Sequence, residues 1–317
     1  MHKRLVNHCT IHLTIIPDGP ILIKSGKEGA DPTKPDMEFV ETYHERGKTI
    51  YLPGSSLKGA LRAHAERIVR TVGGSSRPTN SQQIWASDPM RDDAEKYFQA
   101  QKVTDSQQIY QQSCFIGQLF GNTSIASRLR IEDAYPTGEV KLEERNGVAI
   151  DRVFGSVAVG PFNYQVCTKG EFKTKIHLKN FTLPQLGLLG LVLRDLNDGW
   201  FGLGFAKSRG LGTVAIQYDK ATVQYPGCIL ENDRIKQLGA GQTWERSTLL
   251  GVGMFLTADE RENYGFPADD RQTDLPVAAE MMSYGFGVEL VWSGAQVEDL
   301  LMRSVQSWSK LLQGAAA

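Results

Sequence analysis

The sequence predicts an α+β fold in which the elements follow the order strand, helix, strand, strand, helix, strand. Two stretches of helical period supply the helices, residues 56–72 and 182–197. Four stretches in which apolar and polar residues alternate supply the strands, residues 5–16, 127–132, 172–179 and 213–216. This order is that of a ferredoxin-like (RRM-like) βαββαβ domain. Residues 1–217 are therefore predicted to form one domain with insertions, and residues 218–317 a C-terminal extension packed on it.

Bulk properties limit the class of protein before any motif is considered. The chain has 317 residues, of which 41% are hydrophobic, so it is long enough for one large domain or two smaller ones. We expect neither a signal peptide nor a membrane partner, because no long apolar run is present. The four cysteines are widely spaced, which predicts reduced thiols and a cytoplasmic protein. The net charge of −1 means that any binding of nucleic acid depends on a local basic face.

The first strand, 5–16, alternates and is broken by Asp18-Gly19-Pro20. A long irregular loop follows, at residues 24–48. It is rich in acidic side chains and also contains His44. Connections of this length are usually functional, and the alternative is a polar surface loop.

The first helix begins after Pro53-Gly54, where Ser55 or Ser56 is predicted to be the N-cap. Its apolar residues fall on one face, and Lys58 and Arg62 repeat at i+4 on another. A helix start with free N–H groups, hydroxyls and a lysine attracts a phosphate. The alternative is an amphipathic helix with a solvated basic face.

Residues 73–126 are predicted to be a helical insertion, and residues 136–170 to hold a protruding β-hairpin with an exposed apolar tip. Between them, the strand at 127–132 alternates, which places Arg128 and Arg130 together on one face.

The strand at 172–179 carries the sharpest charge pattern in the chain. Its alternation places four basic or titratable side chains on one face: Lys173, Lys175, His177 and Lys179. The alternative is an edge strand whose lysines block aggregation.

The second helix is leucine-rich, has Pro184 in its first turn, and leads into a glycine-rich loop at residues 199–213. Five glycines surround Lys207 and Arg209 in that loop, so its backbone N–H groups are suited to an anion-binding nest. Its spacing matches neither a Walker A loop nor G-x-G-x-x-G. In the extension, strands are expected at 249–256 and 286–292, and an amphipathic helix at 297–312.

Four segments carry a family resemblance: PGSSLKGALR at 53–62, LFGNTSIASRLRI at 119–131, IDRVFG at 150–155 and GLGFAKSRGLG at 202–212. Together they resemble the RAMP superfamily of CRISPR-associated RNA-binding proteins, over about residues 1–217. Within it, the best match is the backbone subunit of type III effector complexes. The resemblance implies a palm domain, with the insertion as its helical upper part and the hairpin as its thumb.

The resemblance also implies the partners, which are guide RNA, complementary target RNA and other CRISPR effector subunits. Guide-RNA phosphates would be held at the helix start and the glycine loop, and arginines of the strand and the thumb would follow the RNA toward the bases. The RNA-binding residues expected are Ser55, Ser56, Lys58, Arg62, Arg128, Arg130, Arg152, Gly204, Lys207, Arg209 and Gly210.

Related subunits cut target RNA with an aspartate in the loop after the first strand. The match to that acidic segment favours Asp36, with Asp31 as the second candidate and a transiently bound divalent metal, Mg²⁺ or Mn²⁺, as cofactor. Two alternatives stay open: a scaffold subunit that does not cut, and a guide-processing endoribonuclease that uses His44. We predict no structural zinc, because Gly117 stands where relatives carry a second cysteine after Cys114, and His64 is the only other tempting ligand.

Overall fold

The computed structural model describes residues 4–26, 35–45, 47–78, 83–90 and 94–315. The helices are α1 (Gly54–Val72), α2 (Ala94–Ala100), α3 (Ser106–Gln112), α4 (Phe115–Phe120), α5 (Leu183–Asn197), α6 (Ala258–Tyr264) and α7 (Val297–Ala315). The strands are β1 (His8–Pro17), β2 (Glu41–His44), β3 (Gly47–Ile50), β4 (Leu129–Ile131), β5 (Tyr135–Pro136), β6 (Lys141–Ile150), β7 (Val157–Lys169), β8 (Phe172–Lys179), β9 (Val214–Tyr225), β10 (Cys228–Glu231), β11 (Arg234–Gln237), β12 (Thr243–Glu245), β13 (Leu249–Leu250), β14 (Arg271–Gln272), β15 (Glu280–Met281) and β16 (Val288–Ser293).

One large antiparallel sheet organises the molecule. Its strands lie in the order β15-β16-β9-β1-β8-β4, and β5 also pairs with β8. The predicted α+β class is confirmed. The predicted boundary at residue 217 falls inside β9, and β16 pairs with β9, so residues after 217 extend the same sheet.

The core lies on one face of this sheet. Alternation in β1 turns Cys9, Ile11, Leu13 and Ile15 inward, where they join apolar residues of α1, α5 and α7 in one cluster. Helix α5 begins with a capping box at Thr182 and is buried along most of its length. None of the helices in the described ranges is long and apolar enough to cross a bilayer.

The C-terminal helix is part of the core. A Cβ atom at Gly187 of α5 would lie 2.2 Å from the carbonyl oxygen of Ser304 in α7, so a glycine there permits the two helices to cross closely. The segment predicted as a strand at 249–256 forms instead the short β13 and a 3₁₀ turn at 252–255.

Strand β1 starts at His8 rather than at residue 5. The buried amide side chain of Asn7 donates to the carbonyls of Phe181 and Leu250 and accepts the N–H of Phe181. Asn180 similarly accepts the N–H of Val6 through its side chain. These side-chain bonds hold residues 6 and 7 in a junction between β8 and α5 instead of in the sheet ladder.

The predicted hairpin is structured, and so are the described parts of the predicted insertion. Helices α2, α3 and α4 lie within residues 94–120, and Tyr110 of α3 joins Ile125 and residues in and near α6 in a second apolar cluster. Strands β6 and β7 make a two-stranded hairpin that is longer than the runs visible in the sequence.

Candidate nucleic-acid interface

A short buried segment, Ile21 to Ile23, joins three of the predicted site elements. Ile21 and Cys167, near the root of the β6–β7 hairpin, exchange backbone hydrogen bonds of 2.9 and 2.8 Å. The carbonyl of Leu22 accepts the N–H of Phe205 in the glycine loop at 2.7 Å. The carbonyl of Ile23 accepts the N–H of Val40, in the acidic loop. The hairpin root, the glycine loop and the acidic loop are therefore all hydrogen-bonded to one buried segment.

The glycines of the glycine loop have different roles. A Cβ atom at Gly204 would lie 2.2 Å from the carbonyl oxygen of Leu22, and one at Gly212 would lie 2.2 Å from that of Leu203. A Cβ atom at Gly210 would meet open space, although all three glycines have positive φ. Gly204 is thus required for packing, whereas Gly210 leaves the backbone accessible from outside.

The two basic residues of this loop lie in a 3₁₀ turn, residues 207–209, and both are exposed. The guanidinium of Arg209 lies over the ring of Phe205, with 5.1 Å between them. Backbone and basic side chains on the outer side of the loop are therefore accessible to a phosphate.

The helix start differs from its prediction. Helix α1 begins at Gly54, and neither Ser55 nor Ser56 caps it, so the predicted N-cap is wrong. The carboxylate of Asp133 instead accepts the Gly54 N–H at 2.7 Å. The sequence around the helix start could not reveal this cap, because Asp133 is distant in sequence. Both serines are exposed in the first turn, but one of the N–H groups expected to bind phosphate is already paired.

Lys58 and Arg62 connect α1 to the segment before β4 by hydrogen bonds. The ammonium of Lys58 donates to the hydroxyl of Ser127 at 2.8 Å, and Arg62 donates to the carbonyl of Gly121 and to Glu66. Partial burial, and then the charge of Arg62, lower the pKa of Lys58. Both cations thus have structural partners, and both remain partly exposed.

Arg128 and Arg130 do not share a face, so that prediction is wrong. Arg128 precedes β4, is 3% exposed, and donates to the carbonyl of Asn180 at 2.6 Å while its guanidinium lies 4.1 Å from the ring centroid of Tyr110. Its side chain is therefore part of the aromatic cluster and is not available to a strand of RNA. Arg130 is exposed and pairs with Glu132.

The tip of the hairpin is an ordered turn. One carboxylate oxygen of Asp151 accepts the N–H groups of Val153 and Phe154 at 2.7 and 2.8 Å. The side chains of Val153 and Phe154 are 81% and 83% exposed, as the predicted apolar tip requires, and Arg152 is exposed beside them.

Asp36 lies beside the middle of strand β7 of the hairpin. Its carboxylate is exposed and accepts the backbone N–H of Asn163 at 2.8 Å, while Met37 pairs with Tyr164. The second catalytic candidate, Asp31, lies outside the described residues. His44 is in β2, where its ring stacks on that of Tyr135 with 4.0 Å between centroids.

The two residues considered for zinc have other partners. His64 lies 2.7 Å from the carboxylate of Asp195 and stacks on Phe201, whereas the thiol of Cys114 accepts the N–H of Gly117 in α4. In the described ranges, no three His, Cys, Asp or Glu side chains are grouped closely enough to hold a metal ion. The divalent metal expected for cleavage stays a prediction, and among the described residues the exposed carboxylate of Asp36 is the group that would hold it.

The face of the main sheet opposite the helices is basic. Lys173, Lys175 and Lys179 are exposed on β8, and His8 and His12 stand beside them on β1. Burial is the main cause that lowers the pKa of both histidines, and neighbouring cations lower it further.

A family model for the RAMP superfamily matches residues 14–215. The chain belongs to the RAMP superfamily. The matched region of this RAMP protein contains the last four residues of β1 and all of α1, the hairpin, α5 and the glycine loop. Membership indicates a CRISPR-associated RNA-binding subunit, with RNA and other CRISPR subunits as partners. No curated protein matches the chain.

The sequence did not indicate several residues that the structure places near the predicted RNA-binding elements. His8 and His12 were hidden in an ordinary alternating strand, and only the register of β1 against β8 places them next to lysines. Asp133 and Tyr135 lie in the connection after β4, where no local pattern marks them. These residues can be recognised only once it is known which strands pair with each other, and the pairing strands are distant in sequence.

Proposed function

We propose that this RAMP protein is a backbone subunit of a type III CRISPR ribonucleoprotein that binds guide RNA paired with target RNA. One observation carries the proposal: the glycine loop, with Lys207 and Arg209 exposed, and the root of the hairpin both pack on the Ile21–Ile23 segment. A phosphate backbone held at the loop would then pass the hairpin, which we propose is the thumb.

The order of the four central strands supports a ferredoxin-like palm in this proposal. These four strands lie in the sheet in the order β9-β1-β8-β4, and each neighbouring pair is antiparallel. Counted along the chain, this is the order 4-1-3-2 of a ferredoxin-like sheet. Helix α1 connects the first to the second, and α5 connects the third to the fourth. The thumb and the helical insertion then both lie between elements of this palm.

RNA recognition in this proposal depends on the backbone and on shape, and base pairing between guide and target reads the sequence. The exposed apolar tip, Val153 and Phe154, is suited to insertion between nucleotides and to contact with a neighbouring subunit. Deletion of the tip residues 152–155 should leave the subunit folded and remove periodic protection of the RNA from nuclease.

The direct test measures binding of a labelled single-stranded RNA by fluorescence anisotropy as a function of salt. Replacing Lys207 and Arg209 by glutamine removes two phosphate contacts, so the slope of log K against log salt should become less steep by about 1.4. A matched control replaces the exposed residues Lys102 and Lys310 by glutamine and should leave the slope unchanged. A loop variant with wild-type slope and affinity would overturn the assignment of the loop.

Cleavage of the target is a second candidate function, favoured by the position of Asp36. Its exposed carboxylate accepts the N–H of Asn163, midway along β7 of the proposed thumb and beside the path proposed for the RNA. In this reading Asp36 accepts the proton of a 2′-hydroxyl, the 2′-oxygen bonds to phosphorus, and the bond to the 5′-oxygen breaks. A proton from water completes the 5′-hydroxyl, and the other product carries a 2′,3′-cyclic phosphate.

Asp36→Asn should lower the rate of target cleavage by at least about 100-fold and leave target affinity unchanged, because the carboxylate acts in the transition state. Glu139→Gln, also on the surface, is the control for loss of one negative charge. Loss of cleavage only in Asp31→Asn would move the role to Asp31. Full activity in both variants would leave the scaffold function, and loss of guide processing in His44→Ala would favour the processing nuclease.

A further inference from the structure

The basic face of the main sheet is not explained by any role in the fold. Helices α1, α5 and α7 belong to the core cluster on the opposite side of the sheet, and in the described part of the chain no helix covers this face. We use the name open face for the side that presents His8, His12, Arg130, Lys173, Lys175, His177 and Lys179.

Protection of an exposed sheet edge cannot account for these lysines. Strand β8 pairs with β1 on one side and with β4 and β5 on the other, so it is an interior strand with no free edge over most of its length. The side chains at 173, 175, 177 and 179 follow one another at intervals of about 7 Å on the same face. Like charges in such a row repel, which is a cost to the fold unless a polyanion neutralises them.

The register with β1 widens this row into a band. His8 lies opposite Lys179, Thr10 opposite His177, and His12 opposite Lys175. The rings of His8 and His177 stack with 5.6 Å between their centroids.

Three acidic side chains, Glu132, Asp133 and Asp219, line one pocket together with Lys173 and Lys175. Glu132 accepts from His177 at 2.9 Å and from Arg130 at 3.0 Å, and Asp219 accepts from the hydroxyl of Thr14. Glu289 accepts from the side chain of Gln224, on the far side of β9. In the described residues, the three β8 lysines form no ion pair and remain available.

One end of the band carries an aromatic stack. Tyr135 of β5 lies opposite Lys173, and its ring stacks between His44, at 4.0 Å, and Tyr51, at 5.8 Å. The ring of His44 is exposed at the end of this stack. A row of cations that leads to an aromatic platform is the combination that binds single-stranded nucleic acid, through phosphates and one stacked base. An acidic peptide would use the cations and not the platform.

We propose that the open face is a second binding surface for single-stranded RNA, separate from the glycine loop. It rests on the proposed function in one respect, since it assumes that RNA is the polyanion this protein meets. The strand would run along β8 with its phosphates on the lysines and a base on His44. The histidine and lysine positions at the centre of the sheet predict contact with phosphates and little preference for sequence.

The test uses the full chain and a labelled oligouridine of about 20 nucleotides, measured by anisotropy over a range of salt. Replacing Lys173, Lys175 and Lys179 together by glutamine should weaken binding at moderate salt at least tenfold and make the salt slope less steep by about 2. Replacing Lys102, Lys236 and Lys310 by glutamine is the charge-matched control. His44→Ala should cost about tenfold by loss of stacking and leave the slope unchanged.

The outcomes separate this proposal from the proposed function. A wild-type result for the open-face variant, with binding lost in the Lys207→Gln/Arg209→Gln variant, overturns the open face and leaves the loop as the RNA site. The reverse result supports the open face and overturns the loop. If polyglutamate of equal charge binds the open face as tightly as the RNA does, the surface is a docking site for an acidic protein and our proposal is wrong.

Discussion

The glycine loop offers a test in which strain, packing and RNA contact are separated by three alanine substitutions. Gly204, Gly210 and Gly239 have φ values of +78°, +83° and +83°, so alanine at any of them enters the left-handed region. Only at Gly204 would the new Cβ atom overlap another atom, the Leu22 carbonyl oxygen at 2.2 Å. Gly239, in the turn between β11 and β12, is the control for strain alone.

The expected magnitudes follow from these contacts. Left-handed alanine costs about 1–2 kcal/mol, so Gly210→Ala and Gly239→Ala should lower the free energy of unfolding by similar amounts. Gly204→Ala adds an overlap with a fixed backbone atom, which costs about a further 1–3 kcal/mol because the Ile21–Ile23 segment must shift. In a chain of 317 residues, each kcal/mol lowers the melting temperature by about 1.5 °C.

The assay combines thermal unfolding with RNA binding. Gly210→Ala and Gly239→Ala should melt at nearly the same temperature, and only Gly210→Ala should bind RNA more weakly, because its methyl group occupies space that the RNA backbone needs. Gly204→Ala should melt lowest of the three. Equal RNA affinity in the Gly210 and Gly239 variants, or equal stability in all three, would refute this account of the loop.

Three further predictions concern residues whose environment departs from the sequence pattern. In anisotropy measurements, Arg128→Met should leave RNA affinity unchanged, whereas Arg130→Met should weaken it several-fold and reduce the salt slope by about 0.7. Weaker RNA binding by Arg128→Met would contradict the burial of that side chain. Burial raises the pKa of Asp270 to about 7, against the lowering effect of N–H donors from Leu183 and Gly253, so the folded state holds this proton more tightly than the unfolded state. The free energy of unfolding should therefore fall as the pH rises from about 4 to about 7, and urea titrations of Asp270→Asn should lack this decline. RNA binding should strengthen as the pH falls below about 6.5, because the lowered pKa values of His8 and His12 delay their gain of charge beside the lysines to that range. The same gain in a His8→Gln/His12→Gln variant would exclude these histidines as its source.

The fold was accessible from the sequence where local periodicity determines structure. Both long helices and the alternating strands at the centre of the sheet follow from the spacing of apolar residues, and the exposed hairpin tip follows from an apolar pair beside glycine and charged residues. Strand β8 was predicted with the correct inward and outward faces, because its sequence alternates without interruption.

The site was accessible only in part, because its details depend on contacts between distant residues. Alternation alone could not show that Arg128 turns inward, since this depends on the carbonyl of Asn180 and the ring of Tyr110. The cap on α1 comes from Asp133, and nothing near Ser55 indicates it. The different roles of Gly204 and Gly210 likewise depend on which backbone passes within reach of each.

The most direct test of the central claim is the RNA that the protein carries when it is isolated from cells. The tagged chain would be purified under native conditions, and bound nucleic acid would be sequenced and compared with that of the Lys207→Gln/Arg209→Gln variant. Our account predicts a small RNA of discrete length in the wild-type preparation and its strong depletion in the variant. A wild-type preparation free of RNA, or one with the same RNA in equal amount in the variant, would contradict it.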